Sequence, residues 1–261
     1  MDPIVRKVDH VLVRVDDSEK LWEVFVGPLQ LPVAWPPFEY EGFRSAAFCL
    51  GEVNVELLTP AAGSQVPQFA EQPGARLIGV AFEPFEVAAA AAGLDARGIP
   101  HREPWSYEHK VGEMVVASWT SLDLEPGWLP GSPITLFVKY DRDQDANWDR
   151  QLAALARVDG GPLGVEGLGE VVPGAGKEGQ AQWASLLDGV ATASGRRRAF
   201  ERGPAIALST ATTGDLAIDV ADMDRASTMA AQLGLIGRST ARGLSLAFEG
   251  VALPFRLREV E

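Results

Sequence analysis

The order of secondary-structure signals recurs along this chain, and this repetition constrains the fold more than any other feature of the sequence. Residues 8–16 alternate apolar and polar side chains over part of their length, which predicts a half-buried strand. The next segment opens with the good N-cap residues Asp16 and Asp17 and carries apolar residues at helical spacing as far as Phe25, so it predicts a helix. Three short extended segments follow, around residues 33–35, 43–50 and 53–58.

The same order returns after a connector rich in Pro, Gly, Ser and Gln at residues 60–74. It predicts a second unit with a strand at 77–82, an Ala-rich helix at 87–94 and strands at 114–119 and 134–140. A third, degraded unit and a fourth follow, with strands at 168–172, 206–209, 216–220, 244–248 and 253–257 and helices at 180–187 and 225–233. The polar segment 141–149, together with a helix expected at 148–157, looks like a linker between the halves. We therefore expect two domains, 1–145 and 146–261, each built from a pair of units.

Composition narrows the classes of partner. The chain has 261 residues, of which 46% are hydrophobic and 23% are charged, as in ordinary soluble globular proteins. Its net charge of -13 repels phosphate backbones, so neither nucleic acid nor an anionic membrane is an expected partner. Cys49 is the only cysteine, which excludes an intrachain disulfide and fits a reducing cytoplasm. Neither a secretion signal nor a membrane-spanning apolar stretch is present, so we expect a cytoplasmic protein with a small-molecule ligand or substrate.

Several short motifs in the first unit point to a known family. They are Asp9-His10-Val11 at the first strand, Leu29-Gln30-Leu31-Pro32 after the helix, and Glu56 in a closing Val-Glu-Leu-Leu strand. With them the chain resembles the glyoxalase/bleomycin-resistance group, the vicinal oxygen chelate (VOC) superfamily. The match is good over 6–60, fair over 74–140, and rests on element order beyond that. The resemblance implies an α+β fold in which four βαβββ units form two glyoxalase-like domains with curved mixed sheets around a cavity.

The resemblance also implies a metal site. Members of the superfamily usually hold a divalent metal through residues of the first and last strands of each unit, which here are His10 and Glu56. An imidazole and a carboxylate suit Fe, Mn, Ni, Co or Zn. The aligned positions of the second unit carry no such ligand, since they are Ile78 or Gly79 and Leu136 or Phe137. A bound metal and no metal at all are therefore equally defensible.

A third ligand is available if His101 faces the cavity from the second strand of its unit. His10, Glu56 and His101 would then form a two-His-one-carboxylate set with open positions for substrate. His109 ranks behind His101, because residues 105–110 are typical of a hairpin tip or loop. His10 can equally be a core histidine with no metal. Glu56 is flanked by apolar residues, so it needs a partner or a solvated cavity, where it would serve as a metal ligand or as a catalytic general base.

Aromatic residues supply a second functional signal, because they concentrate in the half that holds every histidine. Trp35, Trp105 and Trp119 would form a stacking surface for a flat ligand, and Arg102 would pair with a ligand carboxylate. The alternative for any single Trp is a place in the core, and an exposed arginine is usually only solvated.

Two functions remain open at this point. One is a metal-dependent lyase, isomerase or dioxygenase that acts on a small carbonyl or aromatic compound in the first domain. The other is a metal-free binding protein, similar to the drug-sequestering members of the superfamily, so whether the chain is an enzyme is undecided. Missing second-unit ligands favour the binder, whereas the presence of both His10 and Glu56 favours the enzyme. A homodimer that pairs through sheet edges is possible but has no positive support in the sequence.

Overall fold

The computed structural model describes residues 2–40, 42–61, 64, 73–111, 114–194 and 196–260. The elements of the first half are β1 (Val5–Arg14), α1 (Ser18–Val26), β2 (Val33–Tyr40), β3 (Phe43–Cys49), β4 (Asn54–Pro60), β5 (Arg76–Pro84), α2 (Val87–Ala96), β6 (Trp105–Val111), β7 (Met114–Asp123) and β8 (Ile134–Tyr140). A connecting helix follows, α3 (Gln144–Arg157).

The second half repeats this order. Its elements are β9 (Val165–Val172), α4 (Gln180–Leu186), β10 (Thr192–Ser194), β11 (Arg197–Arg198), β12 (Ala205–Ala207), β13 (Asp215–Val220), α5 (Met223–Gln232), β14 (Ile236–Thr240), β15 (Gly243–Phe248) and β16 (Val251–Glu259). None of the helices in these described ranges is both long and apolar enough to cross a membrane.

The strands form two eight-stranded mixed sheets with the same topology. The strand order is β2-β3-β4-β1-β5-β8-β7-β6 in the first sheet and β10-β11-β12-β9-β13-β16-β15-β14 in the second. In the first sheet β1 and β5 are antiparallel neighbours, and each is flanked by the parallel last strand of its own unit. The second sheet pairs β9 with β13 in the same way. The expected α+β fold of paired βαβββ units is confirmed.

One hydrophobic core joins the two halves. Phe25 of α1 stacks on Phe48 with ring centroids 4.2 Å apart and meets the ring of Phe255, on the second sheet, edge-on at 5.4 Å. Trp183 of α4 packs against Phe82 of the first sheet. The helices of each half therefore contact the sheet of the other half. The expected boundary at residue 145 falls near the start of α3, and whether the halves fold as separate domains stays a prediction.

The first sheet has a second face, which we call the open face. Along β1, Val11 and Val13 point into the shared core, whereas Leu12 between them points to the opposite side. The buried residues of the open face are Leu12, Leu58, Ile78, Ala81 and Val138, and partly buried aromatic and apolar residues, including Trp119 and Tyr140, pack against them.

Two local predictions from the sequence were wrong. Residues 105–111 form the edge strand β6 and not a hairpin tip, because Trp105 and Tyr107 alternate with polar residues and Tyr107 packs on Trp119 of β7. The helix expected at 148–157 starts earlier, at Gln144, because the side chain of Asp143 caps it by accepting a hydrogen bond from the Ala146 amide.

Candidate functional site

A β-bulge in β1 places two neighbouring polar residues together. Val8 pairs with Phe82 and His10 pairs with Ala81, so Asp9 is an extra residue between two successive pairs. His10 shares the open face with Ala81, and its Nδ1 lies 2.7 Å from Oδ1 of Asp9. Asp9 is fully buried. Without the bulge, strand alternation would send these two side chains to opposite faces of the sheet.

Glu56 lies on the other side of the imidazole. It is paired in register with Leu12, so it also faces the open side of the sheet. Its Oε2 is 3.5 Å from His10 Nε2, and its Oε1 accepts a hydrogen bond of 2.6 Å from Ser45 Oγ. The indole N–H of Trp35 donates to Ser45 Oγ at 3.0 Å, and the Trp35 ring meets the His10 ring edge-on. These contacts fix the orientation of both the carboxylate and the imidazole.

Asp9 is held in turn by the ends of two further elements. The phenol of Tyr140, the last residue of β8, lies close enough to Asp9 for that carboxylate to help raise the pKa of the phenol. The side-chain amide of Gln144, the first residue of α3, donates to Asp9 Oδ2 at 3.4 Å. The resulting cluster of Asp9, His10, Glu56 and their partners is buried at its base and reaches solvent at Glu56, whose side chain is 12% exposed.

The charges in this cluster favour a protonated imidazole. Burial lowers the pKa of His10, but the hydrogen bond to Asp9 and the charges of Asp9 and Glu56 outweigh it, so that the pKa lies above its usual value. Burial raises the pKa of Tyr140 well above its usual value, and the same two carboxylates add to that effect. The Tyr140 phenol therefore stays neutral, whereas the surroundings of His10 favour its protonated form.

The described residues do not fit a resident divalent metal. His10 Nε2 and Glu56 Oε2 are two donors, whereas catalytic zinc sites use three protein ligands. No group of three or more His, Cys, Asp or Glu that could hold a metal occurs in the described ranges.

The structure does not bring His101 to this cluster. Its Nε2 lies 3.3 Å from Asp95 of α2 and its Nδ1 lies 2.9 Å from the carbonyl oxygen of Arg102. The metal set of His10, Glu56 and His101 is therefore not assembled. The side chain of His109 lies outside the described residues.

The expected ligand-binding residues are dispersed. Trp35 contacts the cluster directly, and Trp119 joins it through Tyr140, with ring centroids 6.2 Å apart. Trp105 is 45% exposed and donates its indole N–H to Asp123. Arg102 is exposed on the connection before β6. Of the four, Trp35 contacts the His10 ring and Trp119 packs on the Tyr140 ring.

Sequence reasoning missed Asp9, Ser45, Tyr140 and Gln144 as parts of this site. Asp9 was visible in the Asp-His-Val motif, but its partnership with His10 depends on the bulge, which has no reliable sequence signal. Tyr140 and Gln144 lie far from Asp9 in sequence and meet it through strand order and the early start of α3.

Comparisons with known proteins support the fold. No protein-family model and no curated protein matches the chain. A hypothetical protein from Staphylococcus aureus matches along nearly the whole length, with 97% of this chain and 99% of that chain covered, a TM-score of 0.62 and 11% identity. At this identity the likeness establishes the fold alone.

Two shorter solved structures match about half of the chain. Methylmalonyl-CoA epimerase from Mycobacterium tuberculosis covers 56% of this chain and 95% of its own, with 17% identity and a TM-score of 0.45. Streptomyces coelicolor methylmalonyl-CoA epimerase in complex with 2-nitronate-propionyl-CoA covers 53% and 99%, with 20% identity and a TM-score of 0.41. Neither likeness bears on the chemistry of this chain. Fold and site together define an α+β protein of paired βαβββ units with an Asp–His–Glu cluster on one sheet.

Proposed function

We propose that the protein is an enzyme that moves protons on a small carbonyl compound, with Glu56 as general base and His10 as general acid. The observation that carries the proposal is the contiguous set Asp9–His10–Glu56, with contacts of 2.7 and 3.5 Å on the two sides of one imidazole. Proton transfer at carbon requires an acid and a base that are each held in position. Here Asp9 orients His10 and Ser45 orients Glu56.

The roles follow from the contacts. Ser45 engages Oε1 of Glu56, which leaves Oε2 on the side of His10 to take a proton from the carbon next to the carbonyl group. The electron pair of that C–H bond forms a carbon–carbon double bond, and the carbonyl oxygen takes the proton of His10 Nε2. Asp9 stays bonded to Nδ1 and stabilises the imidazolium before transfer. Return of a proton from the Glu56 carboxyl to the same carbon, with the enol proton passing back to His10, restores the carbonyl compound, and in D2O this return places deuterium on that carbon.

Deuterium incorporation tests this proposal. The protein is incubated in D2O with a panel of small ketones and aldehydes that carry one acidic C–H bond, and exchange is followed by proton NMR. We expect Glu56→Gln to slow exchange by about a hundred-fold or more, the usual contribution of a general base. Glu39→Gln is the matched control, since Glu39 is exposed on neighbouring β2 and pairs only with exposed Arg44 in the described structure. Equal exchange in Glu56→Gln and the wild type would contradict the assignment.

The same assay tests the metal-dependent alternative that the family resemblance implies. Exchange that survives prolonged dialysis against EDTA supports acid–base chemistry by side chains alone. Exchange that is lost on dialysis and restored by Mn²⁺ or Zn²⁺ would return the metal to the mechanism and require a ligand beyond His10 and Glu56.

A metal-free binding function is the second candidate, and the aromatic residues favour it. Tyr107, Trp119 and Tyr140 form a row on the open face, with Tyr107 and Trp119 ring centroids 4.5 Å apart. A flat ligand that packs on this row would be sequestered without reaction. Tight binding of a panel compound with no deuterium exchange would favour this function, and Trp119→Ala would then weaken binding by about 1 to 3 kcal/mol.

A further inference from the structure

We propose that the ligand of this site is a small apolar molecule with a protonated amino group. This inference deepens the proposed function and rests on it for the location of the site. The juxtaposition that supports it is a pair of unpartnered amide oxygens beside two carboxylates and one imidazole.

The unpartnered oxygens belong to Asn54 and Gln144. Both residues are buried, with 5% and 6% of their surface exposed, and neither Asn54 Oδ1 nor Gln144 Oε1 has a hydrogen-bond partner in the described structure. Buried acceptors without a donor are costly, so a ligand that brings donors is favoured.

Both oxygens lie at the cluster. Asn54 is paired in register with His10 and precedes Glu56 by two residues, so it shares the open face with both. The Gln144 amide nitrogen is 3.4 Å from Asp9, which places the oxygen of the same amide group beside that carboxylate.

The charges point the same way. Asp9 and Glu56 both pair with the imidazole of His10. Among the described side chains, no other cation forms an ion pair with either carboxylate. Lys7 also acts on Asp9 electrostatically, but its ammonium donates to the Glu52 carbonyl and lies over the Trp148 ring at 3.7 Å.

A second cation lies near the Tyr140 end of the cluster. Arg142 is exposed and lies over the Tyr140 ring at 5.2 Å. The site thus offers acceptors and negative charge, which attract an ammonium group and repel a carboxylate or phosphate.

The aromatic side chains suit the same ligand. Trp35 and Trp119 are partly exposed at the edge of the cluster, and their indole faces attract cations. The apolar residues of the open face would pack against the rest of the molecule. The substrate class is accordingly an aminoketone or aminoaldehyde with an apolar body.

The test compares three probes of one shape, 2-phenylethylamine, 2-phenylethanol and 3-phenylpropanoate, by isothermal titration calorimetry near pH 7 in low salt. We expect the amine to bind about ten-fold more tightly than the alcohol, as a charge-assisted bond would give, and the propanoate not to bind detectably. Equal affinity for amine and alcohol, tighter binding of the propanoate, or no binding of any probe would overturn the proposal.

Variants locate the binding. Glu56→Gln and Asn54→Ala should each lower the affinity for the amine by about ten-fold and leave the affinity for the alcohol nearly unchanged. The control Glu39→Gln should change neither affinity. An equal loss of affinity for the amine and the alcohol would mean that the ammonium group does not bind at Glu56 and Asn54. Circular dichroism verifies that each variant folds, and the wild-type ranking of probes decides the matter if one does not.

Binding and catalysis fail separately in this design. Amine selectivity without deuterium exchange on any aminoketone would retain the ligand class and refute proton transfer. Exchange on neutral or anionic ketones without amine selectivity would retain proton transfer and refute the ligand class.

Discussion

Replacement of Asp9 by Asn removes one charge from the centre of the cluster while its size and shape are kept. Asp9 is fully buried and accepts hydrogen bonds from His10 and Gln144. We expect Asp9→Asn to lower the pKa of His10, because burial then opposes the imidazolium with only Glu56 left to favour it. The charge-assisted bond between Asp9 and His10 is worth about 1.5–3 kcal/mol, which sets the expected loss of unfolding free energy.

The loss depends on pH in a defined direction. The pKa of His10 is higher in the folded protein than the ordinary histidine value of 6.5. Its protonation therefore adds stability that is fully present below about pH 6.5 and is lost as the pH rises through the folded-state pKa. Asp9→Asn should be most destabilising near pH 5.5 and less so near pH 9.

Urea unfolding at several pH values measures this difference, and NMR titration of the His10 ring protons measures the pKa itself. Asp17→Asn is the matched control, because Asp17 is an exposed N-cap of α1 and Asn caps helices equally well. If Asp9→Asn showed the same loss at both ends of the pH range and an unchanged His10 titration, the assigned role of Asp9 would be refuted.

Three further predictions concern stability and reactivity. Trp183→Ala should lower the free energy of unfolding, measured in urea, by about 3–5 kcal/mol, because Trp183 is fully buried between the halves. Trp183→Phe should lower it by less. Gly127→Ala should cost about 1–2 kcal/mol for its positive φ of 74° alone. Gly161→Ala (φ 66°) should cost more, because its Cβ would lie 2.1 Å from the carbonyl oxygen of Leu29, and similar losses for the two would contradict this. Burial raises the pKa of Cys49 to about 12, so a disulfide reagent near pH 8 should label the thiol only after unfolding, and rapid labelling of the native protein would disagree.

The repeated pattern predicted the architecture well because each unit alternates apolar residues at one of two clear periods between Gly and Pro breaks. The apolar flanks of Glu56 predicted that its carboxylate needs a partner or a solvated cavity, and in the structure it contacts Ser45 and His10 on the open face. Strand alternation missed Asp9, because a bulged residue interrupts the alternation of sides at that point in the strand. It failed for His101 as well, since this residue forms an isolated bridge with Leu124 and not a strand, and Asp95 holds its ring. The contact between Gln144 and Asp9 depends on tertiary packing, which the hydrophobic periodicity of the sequence does not predict.

The shared core has a consequence for how the chain tolerates mutation. The cluster of Asp9, His10 and Glu56 lies on the first sheet, and its polar contacts come from the first half and from the start of α3. Phe255 and Trp183, however, fill space against the rings of Phe25 and Phe82 in the first half. A void at Phe255 or Trp183 is therefore expected to destabilise the half that holds the cluster, and a chain cut between the halves would expose the rings of Phe25 and Phe82 to water.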